Sequence, residues 1–254
     1  MIKITKTEVF GFEHAIRGMR NALESWDRSD SCMCRQDADT CMMIENGYEP
    51  CKTCIRDYSS SFDEDYYCIG VNDAELMKKL ASAGTDHRKY MRMIVVYCDI
   101  IAPLYWWKEY DTYKVGTVAN SCSTMHKIHA KEFTLKDFSC EYLDIRTTKL
   151  LKDTIDMLNE YRHLYVDYDA DDFEVKGCPS KKDIWWQMIQ LLPSSYNQKR
   201  TVMLNYEVLA NMYHSRKNHK LNEWREFCKW VEELPYSEII KQKKLTEFEK
   251  HDTF

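Results

Sequence analysis

The sequence contains no long apolar run and no strong excess of one charge. Its longest apolar stretch, residues 94–107, is interrupted by Asp99 and Pro103 and is too short to span a bilayer. The net charge of −5 provides no overall attraction to nucleic acid or to an anionic membrane. Near the start, Glu8 and Glu13 interrupt the apolar pattern of a secretory leader. We therefore expect a cytoplasmic protein that binds neither nucleic acid nor membranes.

The chain also lacks internal repeats and low-complexity tracts. With 44% hydrophobic and 30% charged residues, it has the composition of a folded globular protein. Its 254 residues suffice for one large domain or two small ones with a full-sized core. We divide it into residues 1–70, which include a cysteine-rich insertion at 31–68, and a main domain at 71–254. Residues 1–30 are expected to continue into that domain.

Eleven cysteines are many for an expected cytoplasmic protein, and most lie singly in apolar contexts that are typical of buried thiols. The exception is a cluster in the insertion, where a Cys-x-Cys and a Cys-x-x-Cys pair could give four thiolates to one zinc ion: Cys32, Cys34, Cys51 and Cys54. The first spacing is unusual for zinc and Cys41 is left over. A reduced surface loop is therefore the favoured interpretation, and structural zinc is the alternative.

Periodicity and capping signals predict one N-terminal strand followed by helices. The strand spans residues 3–12, and the helices span 72–84, 86–97, 142–163, 183–191, 205–216 and 221–234. The first helix has Asn72 as its N-cap, Glu75 completing a capping box, and Gly84 as its stop. Between strand and insertion, Arg17, Arg20 and Trp26 are interpreted either as a binding segment for a phosphate or folate ring or, preferably, as solvated surface.

Residues 205–216, NYEVLANMYHSR, place polar side chains at both ends of an apolar helical stripe. The apolar residues between 208 and 212 form one face, on which Asn205 and Arg216 also fall, and Asn211 lies to one side. Burying an amide or guanidinium without a partner costs on the order of a few kcal/mol, so such a helix is expected to hold a polar ligand. Its ends lie roughly 16 Å apart, which suits a nucleotide. The alternative is an ordinary helix, capped by Asn205, whose Arg216 reaches water.

The residues around this helix resemble the C-terminal signature of flavin-dependent thymidylate synthases. In that family a Leu-Pro pair precedes a strand-like run, an Asn opens the next helix, a second Asn follows six residues later, and an Arg follows five residues after that. Leu192-Pro193, Asn205, Asn211 and Arg216 match these spacings without a gap. The resemblance implies that Asn205 and Asn211 contact the flavin and line the substrate pocket. It implies that Arg216 grips the pyrimidine of dUMP.

A second part of the resemblance is the pair Asp86-His87 at the start of a predicted helix. An acid and an imidazole at a helix N-terminus lie beside partly positive backbone amides, and such a pair most often serves as a cap. In flavin-dependent thymidylate synthases a Glu-His pair has a similar place and its His touches the flavin. The resemblance therefore makes His87 a candidate flavin contact.

The family's Arg-His-Arg-x-x-Ser motif corresponds here to residues 112–123, within a segment rich in aromatic and hydroxyl side chains. Lys114 replaces the last basic residue and Thr117 the first Ser, while the other basic residues of the motif are absent. The alternative register uses Trp107-Lys108-Glu109. The resemblance implies that Lys114 contacts the cofactor and that Lys114, Ser121 and Ser123 bind the phosphate of dUMP. Aromatic planes suit a flavin, pterin or uracil ring, although an aromatic core segment is the alternative.

The resemblance implies an α+β fold with helices around an antiparallel sheet, assembled as a homotetramer with FAD and dUMP between subunits. The implied reaction is reductive methylation of dUMP at C5 to give dTMP, with methylenetetrahydrofolate and NADPH as co-substrates. Arg216 is the implied catalytic residue, as a fixed cation beside the pyrimidine. Two alternatives stay open: a related flavoenzyme that modifies C5 of another pyrimidine nucleotide, and a zinc-stabilised interaction protein without enzymatic activity.

Overall fold

The computed structural model describes residues 1–34, 66–168 and 179–242. Strands and helices alternate irregularly along these residues. The strands are β1 (Lys3–Phe10), β2 (Cys32–Cys34), β3 (Tyr66–Cys68), β4 (Val95–Pro103), β5 (Thr117–Ser121) and β6 (Asn197–Asn205). The helices are α1 (Phe12–Arg20), α2 (Val71–Ser82), α3 (Leu104–Tyr110), α4 (Ile145–Val166), α5 (Lys181–Leu191), α6 (Tyr206–Arg216), α7 (Asn222–Glu232) and α8 (Glu238–Lys241).

Four of these strands form one antiparallel sheet in the order β1-β4-β6-β5, and β2 pairs with β3 in a separate ribbon. The central strand β4 is rich in Val and Ile, which pack well on a pleated surface. It pairs with β1 on one side and along its whole length with β6 on the other, from Val95 opposite Asn205 to Pro103 opposite Asn197. Helices packed around this sheet give the predicted α+β class, which is confirmed.

The main core lies where α1, α2, α3, α6 and α7 pack together and against the sheet. Its largest side chains with almost no exposure include three tryptophans: Trp106, Trp107 and Trp224. A second apolar cluster joins α4 and α5 to the segment around residues 128–138. Because α6 and α7 belong to the main core, the polar groups at the ends of α6 are held on a rigid support.

Two predictions about the first helices are wrong. The helix predicted at 86–97 is a short 3₁₀ turn, Arg88–Arg92, followed by β4, because the β-branched run after Ile94 pairs in the sheet centre. The predicted capping box also does not form. The N-cap of α2 is Gly70, and the carboxylate of Asp30 accepts from the backbone amides of Asn72 and Asp73 at 2.9 and 3.0 Å. A distant acid thus replaces the local cap.

Arg20 is neither solvated surface nor open to a ligand. The residue is 5% exposed, and its guanidinium donates from Nε to Asp73 Oδ1 at 2.6 Å. Ser29 and Ser31 each donate to Asp73 Oδ2 at 2.6 Å. This network fixes the end of α1 and the segment after it against α2. Trp26 is exposed and donates to Asn21.

The predicted zinc site lies largely outside the described residues. Cys32 and Cys34 are in β2, whereas Cys51 and Cys54 fall outside the described ranges. Within 1–34, 66–168 and 179–242 no group of His, Cys, Asp or Glu has the arrangement of a metal site. Zinc binding and the division of the chain at residue 70 stay predictions.

Over the same residues no helix is long and apolar enough to cross a membrane.

Candidate active site along helix α6

The start of α6 is fixed by Asn205, the last residue of β6. Its side-chain oxygen accepts from the backbone amide of Val208 at 2.9 Å, which is the geometry of an N-cap. Its own backbone amide donates to the carbonyl of Gly116 at 3.2 Å. The capping alternative is therefore correct for the Asn205 oxygen. The amide nitrogen, Nδ2, lies against Gly116, and the residue is 9% exposed.

Gly116 has a φ of +79°, and a Cβ added there would lie 2.3 Å from Asn205 Nδ2. The glycine therefore permits both the left-handed backbone and the close approach of the capping amide.

Gly116→Ala is expected to lower the free energy of unfolding by about 2 kcal/mol or more, because it adds backbone strain and a steric overlap. Urea unfolding measures this change. Gly84→Ala is the matched control, since Gly84 has a φ of +118° but nothing within 4 Å of its added Cβ. It isolates the backbone strain. Equal losses in the two variants would contradict a steric role for Asn205.

At the other end of α6, the guanidinium of Arg216 lies in a cage of polar and aromatic groups. Its Nη1 donates to Glu109 Oε2 at 2.7 Å and its Nε donates to the hydroxyl of Tyr113 at 2.9 Å. The guanidinium also lies over the ring of Trp224, 4.9 Å from the ring centroid. The side chain is 19% exposed. The alternative that Arg216 merely reaches water is therefore wrong.

Glu109 organises this cage. Besides Arg216, its Oε2 accepts from Trp224 Nε1 at 2.9 Å and lies 3.3 Å from His219 Nε2. Three elements thus converge on one oxygen: the end of α6, the turn after it, and α7. Among the described residues, Arg216 Nη2 and Glu109 Oε1 have no hydrogen-bond partner. A ligand at this end would therefore meet an ordered donor and an ordered acceptor.

Asn211, on the side of α6, is exposed and is held by a buried arginine. Arg88 is 4% exposed and donates from Nη2 to Asn211 Oδ1 at 3.0 Å. Its Nε lies 3.5 Å from Glu207 Oε1, and Arg92 donates to both oxygens of that carboxylate. The hydrogen bond to Glu207 raises the pKa of Arg92. His87, the predicted flavin contact, is exposed and directly precedes Arg88.

Lys114 lies in a short loop that follows α6 from end to end. Tyr113 contacts Arg216, whereas Gly116 contacts Asn205, so Lys114 lies between these two contacts and is exposed. The structure thus brings Lys114 beside the helix that carries the predicted ligand contacts.

Ser121 and Ser123 are not brought to α6 within one chain. Ser121 pairs with Arg200, five residues before Asn205 along β6, which is about 17 Å of strand. Ser123 follows β5 and accepts from the amide of His126. Phosphate binding by these serines stays a prediction.

Glu109, Tyr113 and Arg88 belong to this site, but they were not predicted as ligand contacts. Glu109 and Tyr113 lie inside or beside the aromatic segment that the sequence marks, so a weak signal existed. No sequence signal marked Arg88 as a site residue, since an arginine near a predicted helix start is normally solvated.

Among solved structures, the same fold occurs in thymidylate synthase X, ThyX, of Helicobacter pylori, in a crystal structure with FAD and dUMP. The match has a TM-score of 0.57 and 13% sequence identity, and it covers 93% of this chain and 95% of that one. The chain has the ThyX fold. A second structure of H. pylori ThyX, described as flavin-dependent and complexed with FAD and dUMP, matches with a TM-score of 0.55 and 13% identity over 92% and 94% of the two chains.

At 13% identity the comparison with ThyX establishes the architecture, not the activity. No protein-family model and no curated protein sequence matches this chain. The ThyX fold extends over nearly the whole chain, whereas the sequence resemblance rests on short motifs.

Proposed function

We propose that this protein is an FAD-dependent thymidylate synthase that converts dUMP to dTMP, with methylenetetrahydrofolate as one-carbon donor and NADPH as reductant. The observation that carries the proposal is the placement of Asn205, Asn211 and Arg216 along one helix of a ThyX fold. These are the residues whose spacing resembles the family signature, and side-chain contacts hold each of them in place. The proposal includes a homotetramer with sites between subunits and a cytoplasmic location.

The groups along α6 fit a flavin and a pyrimidine. The side-chain oxygens of Asn205 and Asn211 are engaged, so these amides offer N–H donors, which suit the carbonyl and ring-nitrogen acceptors of both molecules. Tyr113 beside Arg216 offers an aromatic face. When bound, FAD supplies the hydride that completes the methyl group. His87 and Lys114 are proposed as further cofactor contacts.

Arg216 would stabilise the negative charge that builds up on the pyrimidine carbonyl and N3 as C5 becomes nucleophilic. A preorganised donor at such a position lowers a barrier by roughly 3 to 4 kcal/mol. The contacts of Arg216 with Glu109, Tyr113 and Trp224 fix the guanidinium before any ligand arrives, so little reorganisation is needed. In this proposal the phosphate of dUMP is bound by the ammonium group of Lys114, which acts as a point charge. The hydroxyls of Ser121 and Ser123 from another subunit of the proposed homotetramer complete the phosphate site.

The direct test is dTMP formation by the purified protein, given dUMP, methylenetetrahydrofolate and NADPH, with and without FAD. We expect product that depends on FAD, because the hydride donor is missing otherwise. The matched control is the same assay with dCMP in place of dUMP. The proposal is overturned if the protein forms no dTMP and binds no flavin.

A second candidate is a flavoenzyme that modifies C5 of another pyrimidine nucleotide. Two observations favour it: Lys114 alone replaces the family's basic motif, and the carboxylate of Glu109 lies against Arg216, adding an acceptor beside the cation. In that case the protein would copurify with flavin but form no dTMP. If dUMP does not compete with the nucleotide that the protein modifies, the second function is supported over thymidylate synthesis.

A further inference from the structure

We propose that Arg88 is a positioning residue that turns the amide of Asn211 so that only its NH2 group faces the ligand. This inference rests on the proposed function for the identity of the ligand. It goes beyond the signature residues, because Arg88 belongs to none of the motifs that carry the resemblance.

The orientation of the Asn211 amide follows from the chemistry of its partner. A guanidinium has five N–H donors and no acceptor, so an amide that bonds to it must present its oxygen. Arg88 Nη2 donates to Asn211 Oδ1 at 3.0 Å, and the opposite Nδ2 therefore points away from Arg88. In the described part of the chain this Nδ2 has no protein partner, and Asn211 is exposed. The exposed face of Asn211 is a donor.

Arg88 is buried and ion-paired, although its Nε makes no hydrogen bond, and this placement allows it to orient another group. It is 4% exposed, and its charge is balanced by Glu207, whose carboxylate lies 3.5 Å from Arg88 Nε. Burying a charge in this way is costly unless it is paired. Arg92 contacts the same carboxylate but is largely exposed and does not touch Asn211. Two arginines thus share Glu207 of α6, and Arg88 also donates to Asn211, one turn further along the same helix.

The side-chain amide of Asn205 is oriented in the same sense but by a different contact. Its oxygen caps α6 by accepting from the amide of Val208, so its Nδ2 is the group without a protein partner among the described residues. In both signature amides the oxygen already accepts a hydrogen bond from the protein, and the NH2 group is the one left for a ligand. The ligand along α6 must present acceptors to them, as the carbonyl oxygens and unprotonated ring nitrogens of an oxidised flavin do. An Asn211 amide that could rotate freely would also present its oxygen to ligands that carry hydrogen-bond donors. By fixing the amide, Arg88 favours ligands that present acceptors at this position.

The test compares the affinity for FAD, measured by quenching of flavin fluorescence, in a set of variants. Asn211→Ala removes one donor and is expected to weaken binding about fivefold. Asn211→Asp keeps an oxygen for Arg88 but turns an acceptor to the ligand, so the loss is expected to reach about thirtyfold or more. If the aspartate variant binds FAD as well as the wild type, or better than the alanine variant, the inference is overturned.

Arg88→Met is expected to weaken FAD binding severalfold, because the Asn211 amide can then rotate. The double variant Arg88→Met/Asn211→Ala is expected to match Asn211→Ala within about twofold, since Arg88 acts through Asn211. Additive losses would instead mean that Arg88 acts independently. Arg92→Met is the matched control and is expected to leave the affinity unchanged. If Arg88→Met does not fold, the order of the two Asn211 variants decides.

A readout without ligand separates this inference from the proposed function. Absence of FAD binding by the wild type would overturn the proposed function. The orientation of the amide is then judged by hydrogen exchange of the Arg88 guanidinium protons in NMR spectra. We expect slow exchange in the wild type and faster exchange in Asn211→Ala. Identical exchange in the two proteins would overturn the inference about Arg88.

Discussion

Arg216→Ala is expected to reduce the turnover number for dTMP formation by a factor on the order of 10² to 10³ while FAD still binds. The guanidinium is the cation proposed to face the developing negative charge on the pyrimidine, and its loss leaves that charge unstabilised. Folding should survive, because the carboxylate of Glu109 is about one third exposed and keeps Trp224 Nε1 as a donor. Steady-state kinetics with dUMP, together with flavin titration, measures the effect.

Arg216→Lys is the matched variant for this prediction. It keeps the positive charge but lacks the planar fork that contacts Glu109 and the Tyr113 hydroxyl together. We expect turnover between that of the wild type and that of Arg216→Ala. If the alanine variant retains normal turnover, Arg216 is not catalytic and the assignment fails.

The contrast between α6 and β4 shows which parts of the fold the sequence could predict. In α6 the period of 3.6 residues and the polar ends are local properties, and the helix lies at Tyr206–Arg216 with Asn205 as its cap. In β4 the local pattern was misleading, because the apolar run after Ile94 fits a buried helix as well as a buried strand. Pairing with β1 and β6 on both sides decides the matter, and those strands are distant in sequence.

The same distinction explains why the site was predicted only in part. Asn205, Asn211 and Arg216 lie within one helix and its cap, so a spacing rule finds them. Glu109 is 107 residues from Arg216, and Arg88 is 123 residues from Asn211. No periodicity or short motif reports contacts at such separations. They exist because the last turn of α3 and the 3₁₀ turn before β4 both contact α6.

Asp73→Ala is expected to lower the free energy of unfolding by about 3 to 5 kcal/mol, because it leaves the buried guanidinium of Arg20 without its counter-charge. Asp73 is fully buried and accepts three hydrogen bonds, from Arg20, Ser29 and Ser31. Removing it also frees the two hydroxyls that join the segment after α1 to α2. Equilibrium unfolding in urea measures the loss, and a loss below about 1 kcal/mol would contradict this account.

The pH dependence of the same group gives an independent check. Burial alone would raise the pKa of Asp73, but hydrogen bonds from Ser29, Ser31 and Arg20 outweigh burial, and the pKa is lowered. In the unfolded chain this carboxyl titrates near pH 4. Its contribution to stability is therefore fully present above that pH and is lost as the pH falls through the lower, folded-state pKa. The stability difference between the wild type and Asp73→Asn should shrink on acidification.

Asp183→Asn is the control that separates burial from a lowered pKa. Hydrogen bonds from Ser180 also lower the pKa of Asp183, but this residue is exposed in the capping box of α5. Water already solvates its charge, so the stability loss should be small and should depend only weakly on pH. A loss as large as that of Asp73→Asn would mean that the hydrogen bonds alone, and not the buried charge of Arg20, set the contribution of Asp73. The comparison thus tests how much the buried ion pair of Arg20 and Asp73 adds to the hydrogen bonds that hold the N-terminal segment against α2.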